Sequence, residues 1–244
     1  MAADLYVIEP LPEGEGPGAL REQPDTHPVA ERLTTAGIWV AAVASTLQLV
    51  GHFTNAVTID SPHLDANVEH NLFTWANSCA VLFVAVAASV AVLLDAPRRR
   101  VLIALAVVTA FFAADEAVVL HENIAFGILG AVGLGDVWDS VLWPLLYLPL
   151  LVGTVVALLV VAREAPARGR RCIHVGLGLL AFALLLEIAS TPWSVDRNPI
   201  HTFEGGLEET AELAGWILIA TGIAALAARP LARRARIRRL GPTS

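Results

Sequence analysis

From about residue 34 onward the chain is a succession of apolar runs, each roughly 20 residues long, separated by short polar stretches. Within a run the apolar residues are continuous rather than alternating, the pattern of a helix that is apolar on all sides and not of a strand with one solvated face. A helix rises about 1.5 Å per residue, so a run of this length crosses the hydrocarbon core of a bilayer, about 30 Å thick. The runs predict six membrane-spanning helices, over 34–56, 70–94, 101–126, 139–162, 172–192 and 208–228. In lipid the backbone must satisfy its own hydrogen bonds, which again selects helix. The expected fold is an all-α, polytopic bundle of six transmembrane helices. An acidic tail over 1–33 and a basic tail over 229–244 flank it. The first tail, with Pro10, Pro12, Gly14, Gly16, Pro17 and Gly18, is too polar to build a core and reads as disordered. It has no basic stretch leading into an apolar one, so no cleaved signal peptide is expected.

Composition moves the chain further from a soluble domain: 56% of its residues are hydrophobic and 16% charged. All 16 basic residues are arginine. A retinal protein is thereby excluded, because its Schiff base needs a lysine. Arg98, Arg99 and Arg100 join spans two and three; Arg163, Arg168, Arg170 and Arg171 join spans four and five; Arg229 and Arg233 to Arg239 follow span six. The remaining connections hold one basic residue, Arg197. Positive charge collects on the cytoplasmic side, so the expectation is a multi-pass cell-membrane protein with both termini in the cytoplasm. Arg233 to Arg239 would serve there as a stop-transfer flank or lie on anionic headgroups. Cys79 and Cys172 fall at different depths and are expected to be free thiols. The chain has no P-loop, GxGxxG, CxxC or Gly-x-Ser-x-Gly pattern, no strong internal repeat, and nothing that points to nucleic acid.

The net charge of −7 is unevenly spread, and this changes the picture most. Counting from the cytoplasmic ends at 1.5 Å per residue brings several ionisable side chains to one level near the outer boundary. They are His52 on span one, Asp115, Glu116, His121 and Glu122 on span three, Glu187 on span five, and Glu208, Glu209 and Glu212 on span six. Glu69 and His70, at the start of span two, are further candidates. An ionised carboxylate near the bilayer centre costs roughly 2.5–3.5 kcal/mol, and such residues normally face the bundle interior. With only Arg197 to answer them, either several acids stay protonated or a cation holds them together. In an unbroken helix Asp115 and Glu122 share a face while Glu116 and His121 point elsewhere, so span three cannot aim all four at one point. Span six can, because Glu208 and Glu212 are four apart.

Carboxylates with one or two imidazoles suit Zn, Fe, Mn or Ca. The expected cofactor is a divalent metal ion held among these residues, with Asp115, Glu116, His121 and Glu122 as candidate catalytic groups. No soluble metal signature, such as H-E-x-x-H, is present. Other residues have plainer readings. Asn77 and Ser78 are candidate hydrogen-bond partners in the site; the plainer reading makes Trp75 an interfacial anchor and Ser78 a small packing residue. Trp138, Trp143, Trp193, Trp216 and Tyr147 fall near span boundaries, where aromatic belts occur, and His201 sits near Glu204 in the last outer connection.

The elements Asp115-Glu116 through His121-Glu122, and Glu208-Glu209 through Glu212, resemble a family of bacterial and archaeal multi-span membrane proteins without an assigned function. Those proteins carry D-E-x-x-x-x-H-E late in one span and E-E-x-x-E opening the last. Their early span opens much as this one does, from Glu69 through Thr74 and Trp75 to Ser78. The resemblance covers the membrane region and implies a shared acidic site, not a known reaction. A weaker likeness is to alkaline-ceramidase-type membrane hydrolases, which bind zinc among their spans. Their His-rich final span is missing, since span six offers Glu and no His.

Three functions follow as expectations. The first is a metal-dependent membrane hydrolase or oxidoreductase acting on a lipid-like substrate from the outer leaflet. The second is a divalent-cation or proton transporter, which the apolar inner halves of the spans disfavour. The third is an accessory subunit that docks a membrane-protein partner.

Overall fold

The computed structural model describes residues 28–66, 71–133, 138–190 and 199–240, and these contain helices and no strand. In chain order the α-helices are α1 (Pro28–Thr54), α2 (Leu72–Leu93), α3 (Arg99–Val118), α4 (Leu120–Val132), α5 (Asp139–Glu164), α6 (Ala167–Ser190) and α7 (Pro199–Leu240). All but α4 are long and apolar enough to cross a membrane, which makes the six-span, all-α bundle a property of the fold. Two boundaries differ from the pattern. α1 begins at Pro28, where proline is compatible with a first helical turn. α7 begins at Pro199 and continues through the expected basic tail to Leu240. The acidic tail up to residue 27 lies outside the described residues.

Local chemistry explains several helix ends. The Asn71 side chain accepts from the backbone N–H groups of Phe73 and Thr74 and so caps α2. Beyond α1 a single π-helical turn, Asn55–Ile59, ends at Asp60 in the left-handed region (φ 53°). There Asn55 holds Ser61 by two hydrogen bonds, of 2.9 and 2.8 Å. α4 stops at Gly133, whose φ of 72° suits a residue without Cβ. Inside the spans, Thr34, Thr46, Ser89, Thr109, Thr154 and Thr221 each donate to the carbonyl four residues earlier, at 2.7–2.8 Å. That bond satisfies a hydroxyl where no water is at hand.

α7 is the central post, against which α6, α1 and α2 pack. Of its apolar stretch 61% is buried, compared with 17% for α1, which therefore lies at the periphery. Glycines set how close α6 and α7 come. A Cβ added at Gly176 would stand 2.6 Å from the Gly215 carbonyl oxygen, and one at Gly222 would stand 2.5 Å from that of Gly169. Small residues let helix backbones touch where lipid provides no hydrophobic drive. Leu102 and Leu105 of α3, Leu158 of α5, Ile173 of α6 and Ile219, Ile223 and Leu226 of α7 form the main core. Outside it, Leu47, Val107, Leu145 and Leu185 are among many large apolar side chains left exposed, as a lipid-facing surface requires.

The arginines of the α2–α3 and α5–α6 turns and of late α7 lie at one end of the bundle. Arg98 Nε meets Glu164 Oε1 there at 2.9 Å, and Arg229 donates to the Glu164 carbonyl. The apolar core occupies this arginine-rich half, and the acidic residues fall toward the opposite end. Cys79 and Cys172 are free thiols, one exposed and one buried.

Candidate functional site

The third expected span is two helices rather than one. α3 ends at Val118, and Val119, buried and β-branched, takes φ 54° and ψ 43°. A non-glycine residue in this region costs on the order of 1–3 kcal/mol and persists only where its surroundings hold it. Its N–H bonds the Asp115 carbonyl, and Asn123 Nδ2 donates to the Val119 carbonyl at 2.7 Å, so both sides of the break are tied down. α4, at 13 residues, is too short to cross the membrane.

The break overturns the expectation that Asp115 and His121 diverge on one straight helix. His121 Nδ1 lies 2.8 Å from Asp115 Oδ2, and Tyr147 Oη donates to Asp115 Oδ1 at 2.9 Å. Asp115 is buried, so its carboxylate is held from two sides by α4 and α5. Burial opposes a charge on the His121 ring, but the Asp115 hydrogen bond and the charges of Asp115, Glu122 and Glu212 outweigh it. The imidazole therefore keeps its proton above the usual histidine range.

These groups line a cavity of about 270 Å3 between α3, α4, α5, α6 and α7. Asp115 and Glu116 of α3, His121 of α4, Glu187 of α6 and Glu208, Glu209 and Glu212 of α7 all belong to its lining. Seven sequence-derived site residues, from four helices, thus reach one space. Two of the glutamates are fixed from neighbouring helices: Trp143 Nε1 donates to Glu187 Oε1, and Asn77 Nδ2 to Glu209 Oε2. Asn77 is thus a hydrogen-bond partner of a residue that lines the cavity. Ser78 instead donates to the Ala113 carbonyl at 2.7 Å and joins α2 to α3.

The other candidates are placed differently. Glu122 is outside the cavity lining, 3.9 Å from His121 Nε2. His52 is buried and is not part of the cavity lining. Its Nδ1 accepts from the Ala66 N–H at 3.0 Å and its Nε2 stands 2.7 Å from the Thr202 carbonyl, so both nitrogens are spent on backbone. That pattern corresponds to a neutral ring protonated at Nε2, which staples α1 to the start of α7 and has no lone pair left for a metal ion. His201 pairs with Glu204 at 3.3 Å, also outside the cavity lining. Glu69 and His70 lie outside the described residues. Among the described residues no three His, Cys, Asp or Glu side chains form a group that could hold a metal ion.

Trp143, Tyr147 and Trp216 belong to the cavity, although their positions had suggested only aromatic belts. Tyr147 and Trp143 stand edge to face at 6.1 Å between ring centroids, and the His121 ring lies 4.7 Å from Trp143. A signal existed in the sequence. Trp143, Tyr147, Leu151, Thr154 and Leu158 recur at helical spacing and form the α5 stripe that lines the cavity.

No curated protein and no solved structure matches the chain. Residues 33–226 match the family described as Domain of unknown function (DUF8692), a stretch that takes in the four middle spans, most of the first and last, and every residue lining the acidic cavity. The chain belongs to that family.

Proposed function

We infer that the protein binds a cation in the acid-lined cavity, with the cavity end of the bundle at the outer face of the cell membrane and both termini in the cytoplasm. The observation that carries this reading is the lining itself: six carboxylates and one imidazole around about 270 Å3. Mutual repulsion among six carboxylates is relieved by protons or by a bound cation. The arginine-rich opposite end supports the orientation.

Asp115, His121 and Tyr147 add proton chemistry to binding. A protonated His121 beside Asp115 is a donor at the cavity wall, and Tyr147 holds the other oxygen of Asp115 in place. A bound molecule within reach of His121 can therefore be protonated or deprotonated there. A divalent metal is the second reading, favoured by the oxygen-rich donor set. The lack of a preformed group of three ligands among the described residues counts against it. Transport is disfavoured because the deeper lining is apolar.

Purified protein titrated separately with methylammonium, Mn2+ and Zn2+ tests the reading through thermal unfolding. A bound cation at a hundred times its Kd stabilises by about 2.7 kcal/mol. Stabilisation by at least one of these ions, lost in Glu212→Gln and Asp115→Asn, is the expected result. No response to any of them in the folded wild type would remove the cation-binding reading. Elemental analysis of the same samples separates metal from organic cation.

A further inference from the structure

We propose that the cation is the ammonium head of a single-chain amphiphile, whose hydrocarbon tail lies along the deeper wall of the same cavity. The proposal rests on the cation-binding reading and goes beyond it in naming the ligand's chemistry. Three features of the cavity carry it.

First, the cavity does not end at the acids. It continues toward the arginine-rich half between Leu151, Val155 and Leu158 of α5 and Leu177, Leu180 and Leu184 of α6. Leu177 and Glu187 are ten residues apart on α6, roughly 15 Å along the axis. The hydroxyl of Thr154 on this stretch is already satisfied, donating to the Leu150 carbonyl at 2.8 Å. A small hydrophilic cation would use the acidic end and leave this wall without a partner. An alkyl tail fills it, as an apolar ligand fills an apolar pocket.

Second, the acidic end is also aromatic. Phe112, Trp143, Tyr147 and Trp216 line it beside the carboxylates, and the bonds from Trp143 to Glu187 and from Tyr147 to Asp115 hold ring and acid together. Ring faces attract ammonium groups, most strongly where water is excluded, and carboxylates accept their N–H bonds. Aromatic rings beside carboxylates suit an organic cation better than a metal ion.

Third, the deeper half opens sideways. Val155 on α5 and Ala181 on α6 line the cavity and are exposed rather than packed against a neighbouring helix. In a membrane that exposed face meets lipid. A ligand already dissolved in the bilayer can therefore pass its tail between α5 and α6 without crossing water.

The test uses the full chain in dodecyl maltoside micelles, where the detergent supplies an equal chain with no charge. Dodecylammonium and methylammonium are titrated against the fluorescence of the tryptophans. The expected result is saturable binding of dodecylammonium, at least tenfold tighter than methylammonium. Glu212→Gln weakens both; Ala181→Phe, which narrows the lateral opening, weakens dodecylammonium roughly tenfold more than it weakens methylammonium. Equal affinities, or an Ala181→Phe protein that is folded and binds both as before, overturn the amphiphile while the cation reading stands. If neither ligand binds, or Glu212→Gln changes nothing, this proposal falls, and the cation reading falls with it unless Mn2+ or Zn2+ stabilises the wild type. A dodecylammonium bearing a terminal diazirine needs no variant. Cross-links on Leu158 or Leu177 support the proposal, and cross-links confined to outward-facing residues such as Val107 or Leu185 overturn it.

Discussion

His121 is the residue whose surroundings make the sharpest demand. Its pKa is raised, so the folded state holds the imidazole proton more tightly than the unfolded chain does. The resulting stabilisation is complete below the ordinary histidine value, about 6.5, and is lost as pH rises through the folded-state pKa. Wild-type Tm is expected to fall as pH rises from about 6.5, and Asp115→Asn is expected to flatten that dependence and lower the His121 pKa in an NMR titration. A His121 pKa unmoved by Asp115→Asn would break the link between the two. Tyr147→Phe leaves Asp115 Oδ1 buried with one partner fewer and is expected to destabilise by about 1–3 kcal/mol in chemical unfolding. The opposite sign applies at Gln48, which is buried in the bundle with neither amide atom bonded. Gln48→Leu keeps the volume and removes the desolvation penalty, so Tm is expected to rise. At this scale the acids were legible in the sequence, because ionisable residues in an apolar run have few uses. The fate of His52 was not: its Nε2 partner, Thr202, is 150 residues away in sequence.

Among the elements, the α3–α4 break and the α6–α7 contact have the largest consequences. Two valines adjoin the break, and nothing in Ala117-Val118-Val119-Leu120 signals a stop: no glycine, proline or asparagine interrupts the run. Tertiary packing of Val119 imposes the left-handed turn, and only the folded structure reveals it. Without that turn Asp115 and His121 could not meet, so the dyad was hidden although both residues were in view. The reverse holds for helix ends such as Asn71, whose N-cap chemistry is local. For α6 and α7, Gly176→Ala is expected to cost about 1–3 kcal/mol, because its Cβ would strike the Gly215 carbonyl. Gly153→Ala on α5, with open space around its Cβ, is expected to be neutral or to stabilise by up to about 1 kcal/mol. Thermal unfolding of both variants checks the contrast, and equal effects would contradict the close α6–α7 approach.

For the whole molecule the division of labour runs along the bundle axis. Close-packed leucine, isoleucine and alanine hold the arginine-rich half together around α7, and the other half widens into the acid-lined cavity. The six-span architecture was readable from hydrophobic runs alone, since bilayer thickness dictates their length. The cavity was not, because it depends on α5 standing off from α7 while α6 packs tightly against it. The central claim is that acids of separate helices share one space that admits a cation. Its most direct measurement places a cysteine pair at Glu187→Cys and Glu212→Cys, with Cys79→Ser and Cys172→Ser, and treats the protein with a short bifunctional methanethiosulfonate. The account expects an intramolecular link between α6 and α7 in the folded protein. Two thiols that react independently, with no link, would contradict it.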